Sequence, residues 1–244
     1  MVGRGRYRAL TQPLSSHPTA GVVAGLLVGM LLAGVLAARD IAANDDEADT
    51  PGIVATRPDE VATRPDEVEA FLAAWRRSRS GTWFVRLRFT RRTAAGPELE
   101  DELRIAQRPP DRLTVGPLGA VAGRVDGRVV NCSTGSTGVM RCGPGEPAPG
   151  YDEEVANEVA ILRDYFVAPR SLYSLRAEDG CFALRLARAY PSPPYGERAR
   201  FCFDRETGAP TRREVHRPEG SDVQEAVEVR ADVSDADLAP PGSD

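Results

Sequence analysis

The chain has 244 residues, which is enough for one sizeable domain and an additional segment. With 41% hydrophobic and 27% charged residues it can bury a core, which excludes an intrinsically disordered chain. The net charge is −5, and the acidic residues all lie after residue 39, so residues 39–244 are acidic. An acidic domain argues against a nucleic-acid partner, since nucleic acid requires a basic surface. The chain contains no lysine, which excludes chemistry based on a lysine amine.

A long apolar segment follows the basic N-terminus. Residues 19–38 form a run of 20 residues without a charge, and a helix of that length spans about 30 Å, the thickness of the hydrocarbon core of a bilayer. Arginines precede this segment and acidic residues follow it. The positive-inside rule therefore predicts a single-pass signal anchor in the cell membrane, with residues 1–18 in the cytoplasm and residues 39–244 outside.

A cleaved signal peptide is the alternative interpretation of the same segment. Residues 35–37 could form a small-residue cleavage site, although the apolar run is longer than a typical signal-peptide core of about 7–15 residues. Under both interpretations the domain lies outside the cytoplasm. Gly21, Gly25 and Gly29 recur every four residues and would form a smooth stripe on an anchor helix, through which two copies could form a homodimer.

Residues 39–64 have the composition of an extracytoplasmic linker. They are acidic, contain prolines and show no apolar periodicity. A tandem repeat begins here, because ATRPDEV occurs at residues 55–61 and again at residues 62–68. Two short copies are too few for a repeat fold, so a local duplication that lengthened the linker is the favoured explanation.

Apolar periodicity predicts an α+β domain over residues 65–238, followed by a tail over residues 239–244. A first helix is expected between Pro65 and Gly81, because apolar residues share one of its faces. A second helix is expected over residues 151–167. Alternation with period two predicts strands over residues 82–91, 99–105, 113–115, 182–186, 199–203, 211–216 and 223–233, and Asp126-Gly127 is typical of a two-residue hairpin turn. This order predicts one curved antiparallel sheet with two helices on one face.

Four cysteines lie in the exported part of the chain, at Cys132, Cys142, Cys181 and Cys202. An even number of cysteines outside the cytoplasm predicts disulfides. The sequence contains no CxxC motif, which argues against a zinc site or a redox site. Three pairings could form. The loops at residues 133–138 and 191–196 would close hairpins that bring Cys132 to Cys142 and Cys181 to Cys202, so these two disulfides are expected, with a structural role.

No motif in the sequence indicates catalysis. The domain has a single histidine, His216, in a predicted strand, where a surface position is expected. The chain contains no HExxH, GxSxG, P-loop or dinucleotide-binding motif. Asp232, Asp235 and Asp237 lack the glycine and the distal glutamate of an EF-hand, so a solvated tail is expected there. We therefore expect that the protein is not an enzyme and that it binds neither a metal nor a cofactor.

Several stretches of the domain resemble one superfamily. The stretches FLAAWRRSRSGTWFVRLRF, AQRPPDRL, GRVDGRVVNC, RFCFDRETGAPTRREV and VRADVSDADL are similar to the LolA-like and LppX-like lipoprotein-carrier superfamily, and specifically to an actinobacterial membrane-anchored relative. The resemblance covers residues 68–238. It implies an unclosed β-barrel with helices packed on its inner face and an apolar cavity between them. It also implies that the protein holds lipid or the acyl chains of a lipoprotein.

The resemblance places the ligand on the inward-facing apolar residues of the helices and strands. These candidate ligand-binding residues are Trp75, Trp83, Val85, Leu87, Phe89, Leu103, Ile105, Val159, Leu162 and Phe166. An ordinary packed core would show the same pattern, so only an unfilled gap would turn these residues into a site. A shuttle between membranes must diffuse, whereas this chain is expected to be anchored, which favours a fixed lipid acceptor or a sensor.

Two other functions are consistent with the same sequence. An envelope sensor or regulator would bind another protein, of the anti-sigma type or in the membrane, and would expose an apolar patch or a sheet edge. A structural envelope protein would bind no small ligand. A continuous apolar cavity would favour the lipid-binding function over both alternatives.

Overall fold

A computed structural model describes residues 63–241, except for residues 94, 95, 97, 135–139, 143, 144 and 168. The predicted anchor, its glycine stripe, the linker up to residue 62 and most of the turn at residues 133–138 lie outside the described residues. Within the described part of the chain, no helix has both the length and the apolar character needed to cross a membrane.

The domain consists of eleven strands and three helices in the described ranges, with a single 3₁₀ turn at Pro117–Gly119. The elements in chain order are α1 (Pro65–Ser80), β1 (Trp83–Thr93), β2 (Leu99–Arg108), β3 (Asp111–Val115), β4 (Val121–Val125), β5 (Arg128–Thr134), β6 (Met140–Cys142), α2 (Tyr151–Asp164), β7 (Tyr173–Glu178), β8 (Cys181–Leu186), β9 (Arg198–Phe203), β10 (Pro210–Arg217), β11 (Gly220–Arg230) and α3 (Asp235–Leu238).

The strands form one sheet in the order β6-β5-β4-β3-β2-β1-β11-β10-β9-β8-β7. Each pairing is antiparallel, and the last strand, β11, closes the series by pairing with the first strand, β1. The sheet ends at β6 on one side and at β7 on the other, so it does not close into a barrel. The predicted α+β class and the unclosed antiparallel sheet are confirmed.

The predicted hairpin turn between β4 and β5 is also confirmed. Asp126 and Gly127 both have positive φ values, of 50° and 69°. A tight turn of this kind needs two such residues, and aspartate and glycine tolerate that conformation best. The turn sets the register in which Val125 pairs with Arg128.

The two long helices, α1 and α2, pack together on one face of the sheet, which we call the helix face. Phe71 and Leu72 of α1 and Leu162 of α2 lie among buried side chains of β7 to β10. This group, which we call the helix-covered core, consists of Phe71, Leu72, Val159, Leu162, Phe166, Leu172, Tyr173, Leu175, Leu184, Tyr195, Ala199, Phe201 and Val215. The expected packing of two helices on one face is confirmed.

The short helix α3 packs on the opposite face, which we call the outer face. Leu238 is 3% exposed and joins a buried group made by Phe84, Ala106, Leu113, Val121 and Cys132. Asp237 accepts hydrogen bonds from Ser234 in a capping box and a 2.6 Å bond from Arg230. The expected solvated position is confirmed for Asp232 and Asp235, whose side chains are 85% and 92% exposed, and is wrong for Asp237, which the capping box and Arg230 hold against the sheet beside the apolar site of Leu238. The predicted last strand also ends earlier, at Arg230.

Both expected disulfides are present. Cys132–Cys142 joins β5 to β6, and Cys181–Cys202 joins β8 to β9. In each case the two cysteines are directly paired across neighbouring strands. The disulfides therefore fasten strands near the two free ends of the sheet.

The edge strand β7 is protected by the beginning of the domain. On its open edge, the backbone N–H of Leu175 donates to the Thr63 hydroxyl at 3.0 Å, and the backbone N–H of Ala177 donates to the Glu67 carboxylate at 3.4 Å. The N–H of Tyr173 donates to the Tyr165 carbonyl at 3.0 Å. Capped groups of this kind cannot pair with a strand of another molecule, which limits aggregation at this edge.

Candidate functional site

The half of the helix face that lies over β7 to β10 is filled by side chains. The Phe71 ring is at the centre, with its centroid 5.2 Å from Phe182, 5.7 Å from Phe166 and 5.9 Å from Phe201. Four of the ten candidate ligand-binding residues belong to this half, namely Trp75, Val159, Leu162 and Phe166. They contact other core residues, as in an ordinary packed interior.

A buried polar network marks the border of this filled half. Arg79, in the last turn of α1, is paired with Glu154 at 2.8 Å and with Glu158 at 3.1 Å, both from α2. The Trp75 indole N–H also donates to Glu158, at 3.1 Å. These contacts join the two helices, and the low exposure of Arg79, at 5%, strengthens the ion pairs.

The amide of Gln107 fastens the same end of α1 to the sheet. Its Nε2 donates to the carbonyls of Ser78, Arg79 and Gly81 at 2.5–3.0 Å. The Trp83 indole N–H donates to the Ser78 carbonyl at 2.8 Å. Donors from β1 and β2 therefore satisfy carbonyls that the end of a helix leaves without partners.

Sequence reasoning missed this network, although two signals were available. Arg79 follows Val68 by eleven residues, which is three helical turns, so the apolar face of α1 ends on an arginine. Gln107 continues the alternation of Leu103 and Ile105 on β2. A polar side chain in a buried register position requires a polar partner, and that requirement predicts a network.

The remaining apolar part of the helix face is a strip on the two central strands β1 and β2. It consists of Val85, Leu87, Phe89, Leu103 and Ile105, which we call the apolar strip. Val85 pairs with Ile105 and Leu87 pairs with Leu103 across the two strands. The five side chains are 0–7% exposed.

The apolar strip differs from the helix-covered core in its neighbours. Its buried cluster also contains Trp83 and Ala209 and packs against Ala226 of β11. Among the described residues, none from α1 or α2 belongs to this cluster. The strip and Trp83 are the other six candidate ligand-binding residues. Trp83 contacts α1 through its hydrogen bond to the Ser78 carbonyl, whereas the five residues of the strip share no cluster with a described residue of α1 or α2.

The apolar strip has a charged end. Phe89 is paired with Gln224 of β11, and Gln224 is paired in turn with Arg213 of β10. At the next position of β1 on the same face, Arg91 lies opposite Asp222 of β11 and donates two hydrogen bonds to its carboxylate, at 2.6 and 2.8 Å. The helix face therefore changes from apolar to charged along β1.

Asp222 is ionised at this end of the strip. Burial opposes the charged carboxylate, but the hydrogen bonds from Arg91 and the charges of Arg91, Arg217 and Arg213 outweigh burial and hold the pKa of Asp222 below its usual range. Arg217 lies 3.3 Å from the same carboxylate. The charged end is thus rich in guanidinium groups that share one carboxylate.

Arg213 is the exceptional member of this group. Its guanidinium carbon lies 5.9 Å from the centroid of the Phe201 ring. Its Nε is buried without a hydrogen bond, and no residue in the described ranges forms an ion pair with it. Burial lowers the pKa of Arg213, because the low polarity around its side chain opposes the charged form.

The outer face carries a different kind of surface. An open groove of about 510 Å³ lies over β7 to β10 and is lined by polar side chains, among them Arg176, Arg185, Arg198 and Arg200. His216 lines the groove as well, and its Nε2 lies 2.7 Å from Glu214. No group of three potential metal ligands occurs in the part of the chain that the structure describes.

Comparison with known proteins finds similar solved structures at low sequence identity. No family model and no curated protein matches the sequence. Three similar solved structures are a LolA superfamily protein from Nitrosomonas europaea (8% identity, TM-score 0.29, covering 68% of this chain and 96% of that chain), a DUF1329 family protein from Desulfovibrio piger (12%, 0.30, 71% and 97%) and LprF from Mycobacterium bovis (10%, 0.33, 74% and 99%).

Proposed function

We propose that this protein is a membrane-anchored extracytoplasmic binding protein, which holds lipid or the acyl chains of a lipoprotein on the apolar strip and carries out no reaction. The observation that carries the proposal is the unequal covering of the helix face. Two helices fill the half over β7 to β10, whereas none of the described helix residues joins the cluster on β1 and β2.

The chemistry of the apolar strip suits an acyl chain. The strip extends from Val85 to Phe89, which is about 13 Å along a strand, and Leu103 and Ile105 double its width. Its five side chains offer only carbon atoms, so they can replace contacts with water but cannot orient a polar ligand. Long aliphatic chains bind through contacts of this kind over such a length.

The side chains of the strip are shielded from water in this structure, with at most 7% exposure. To bind, an acyl chain must therefore displace the groups that now shield the strip from water. The acyl chain then buries the five side chains in their place. The transfer of each buried methylene group stabilises the complex by about 0.8 kcal/mol, so a chain of ordinary length supplies enough free energy for such an exchange.

The location of the site in the cell is part of the proposal. Two disulfides fit a domain that folds in an oxidising compartment. The apolar run at residues 19–38 would hold the domain at the membrane surface, with the acidic linker as a spacer. A tethered binding domain would receive or sense lipid at a fixed place.

The proposal is tested by mass spectrometry of lipids that copurify with the full-length chain after extensive detergent exchange. Leu103→Asn places an amide in the strip, whereas Val167→Asn makes a comparable change at a side chain that is 52% exposed. We expect about one equivalent of bound lipid for the wild type and for Val167→Asn, and a loss of at least about tenfold for Leu103→Asn. Equal lipid content in all three proteins, each folded by near-UV circular dichroism, would reject the strip as the site.

A further inference from the structure

Arg213 packs against the Phe201 ring but forms no ion pair with a residue in the described ranges. It lies on β10 between Phe201 of the helix-covered core and Gln224, on the same face of the sheet as the apolar strip. A guanidinium group can donate five hydrogen bonds, and the Nε of the partly buried Arg213 is shielded from water without forming one, which costs free energy.

The register fixes how far Arg213 is from the apolar strip. Phe89, Gln224 and Arg213 are directly paired across β1, β11 and β10, so Arg213 lies two strands from the end of the strip. At about 4.8 Å between strands, this separation is roughly 10 Å, which a long arginine side chain and a polar head group can bridge together. Gln224 lies between them and adds a second polar group on the path.

The surroundings of Arg213 favour an anion over a neutral group. The neighbouring row holds Arg91 and Arg217 around Asp222, and Asp222 is already engaged by hydrogen bonds from Arg91 and an ion pair with Arg217. Arg217 opposes the charge of Arg213, while Asp222 and Tyr195 favour it. A ligand oxygen with a negative charge would give Arg213 the partner that the described residues do not supply.

We infer that the ligand is an anionic amphiphile, whose aliphatic chain lies on the apolar strip and whose carboxylate or phosphate is bound by Arg213. The inference rests on the proposed function and adds to it both the charge of the ligand and its direction. The aliphatic chain of the ligand lies along β1 towards Val85, and its head group lies beyond Phe89, beside Gln224.

The sequence supplies a matched control for this inference. Arg212 precedes Arg213 but points to the outer face, where it contacts Glu214 at 3.3 Å and Glu225 at 3.5 Å. Arg212→Gln and Arg213→Gln therefore remove the same charge from the same strand on opposite faces. Arg213→Lys keeps the charge and serves as a rescue variant.

The experiment uses the full-length chain in liposomes and a photoreactive hexadecanoate that carries a diazirine on its chain. Labelling of β1 and β2 is measured by mass spectrometry while oleate, oleoyl lysophosphatidate or oleyl alcohol competes. For the wild type and Arg212→Gln, we expect at least one of the two anions to compete at a concentration about tenfold or more below that of the alcohol. The anion that does so identifies the head group as a carboxylate or a phosphate. For Arg213→Gln the preference should disappear, and Arg213→Lys should restore part of it.

Two results would overturn the inference, and they differ in what they leave standing. Equal competition by the alcohol and both anions in the wild type, or an anion preference that survives in Arg213→Gln, would reject the head-group site and keep the apolar strip as a lipid site. A complete lack of labelling on β1 and β2 would reject the proposed function and this inference together.

Discussion

The two halves of the helix face have the same secondary structure beneath them but different coverings. Over β7 to β10, rings from α1, α2 and the sheet interlock around Phe71. Over β1 and β2, the apolar strip forms a cluster without a described helix residue. The polar network of Arg79 and Glu158 lies at the border. The two helices complete the buried core over β7 to β10, whereas none of their described residues joins the cluster of the apolar strip.

The largest effect is expected from a cavity in the helix-covered core. Phe71 is fully buried and contacts four aromatic rings, so Phe71→Ala should lower the free energy of unfolding by about 3–5 kcal/mol. Urea unfolding of the detergent-solubilised chain measures this loss. A cost below about 1 kcal/mol would mean that this half is not tightly filled, and the contrast between the two halves would fail.

A smaller loss is expected at the border between the halves. Glu158→Gln removes one of the two charges opposite Arg79 in a site where Arg79 is 5% exposed, and it leaves the packing volume unchanged. The expected cost is about 1–3 kcal/mol in urea unfolding, because a buried cation loses part of its compensation. Glu69→Gln is the control, since its ion pair with Arg163 is exposed on both sides and should cost much less.

The charged end of the apolar strip should make the free energy of unfolding depend on pH in the acid range. The folded-state pKa of Asp222 lies below its unfolded value of about 3.9, so its contribution is complete above about pH 4 and disappears as pH falls through the lower, folded value. Asp222→Asn should therefore cost about 1–2 kcal/mol at neutral pH. It should also flatten the loss of stability between pH 4 and pH 2. An unchanged acid dependence in the variant would contradict the ionised, arginine-bound state of this carboxylate.

The smallest effect is expected on the outer face, away from both halves. Arg88 pairs with Glu225 at 2.9 Å, but both side chains are largely exposed. Arg88→Ala should change the free energy of unfolding by less than about 1 kcal/mol and should leave lipid binding unchanged. A large loss of bound lipid in this variant would show that the ligand contacts the outer face instead.

The sequence predicted the strongly periodic elements well. The apolar face of α1 and the alternation of β1 are regular over more than two turns and four residue pairs, so local pattern alone defines them. The disulfides followed from two hairpins, because each loop could connect only neighbouring strands. These features depend on residues that are close in sequence.

Features that depend on distant contacts were missed. Strand β7 has the short alternation of Tyr173, Leu175 and Ala177, and its edge is capped by Thr63 and Glu67, more than a hundred residues away. The site of Leu238 exists only after β1, β2 and β3 have assembled. The division of the ten candidate residues into two groups likewise depends on where the helices lie on the sheet, which periodicity does not specify.

We propose that lipid contacts the apolar strip and not the helix-covered core. The most direct measurement is photolabelling of the full-length chain in liposomes with a diazirine-bearing hexadecanoate, followed by peptide mapping of the labelled residues. We expect label on the helix face of β1 and β2, at Leu87, Phe89, Leu103 or Ile105, and a loss of that label in Leu103→Asn. Label concentrated on Phe71, Leu162 or Phe166, or label on the strip that persists unchanged in Leu103→Asn, would contradict it.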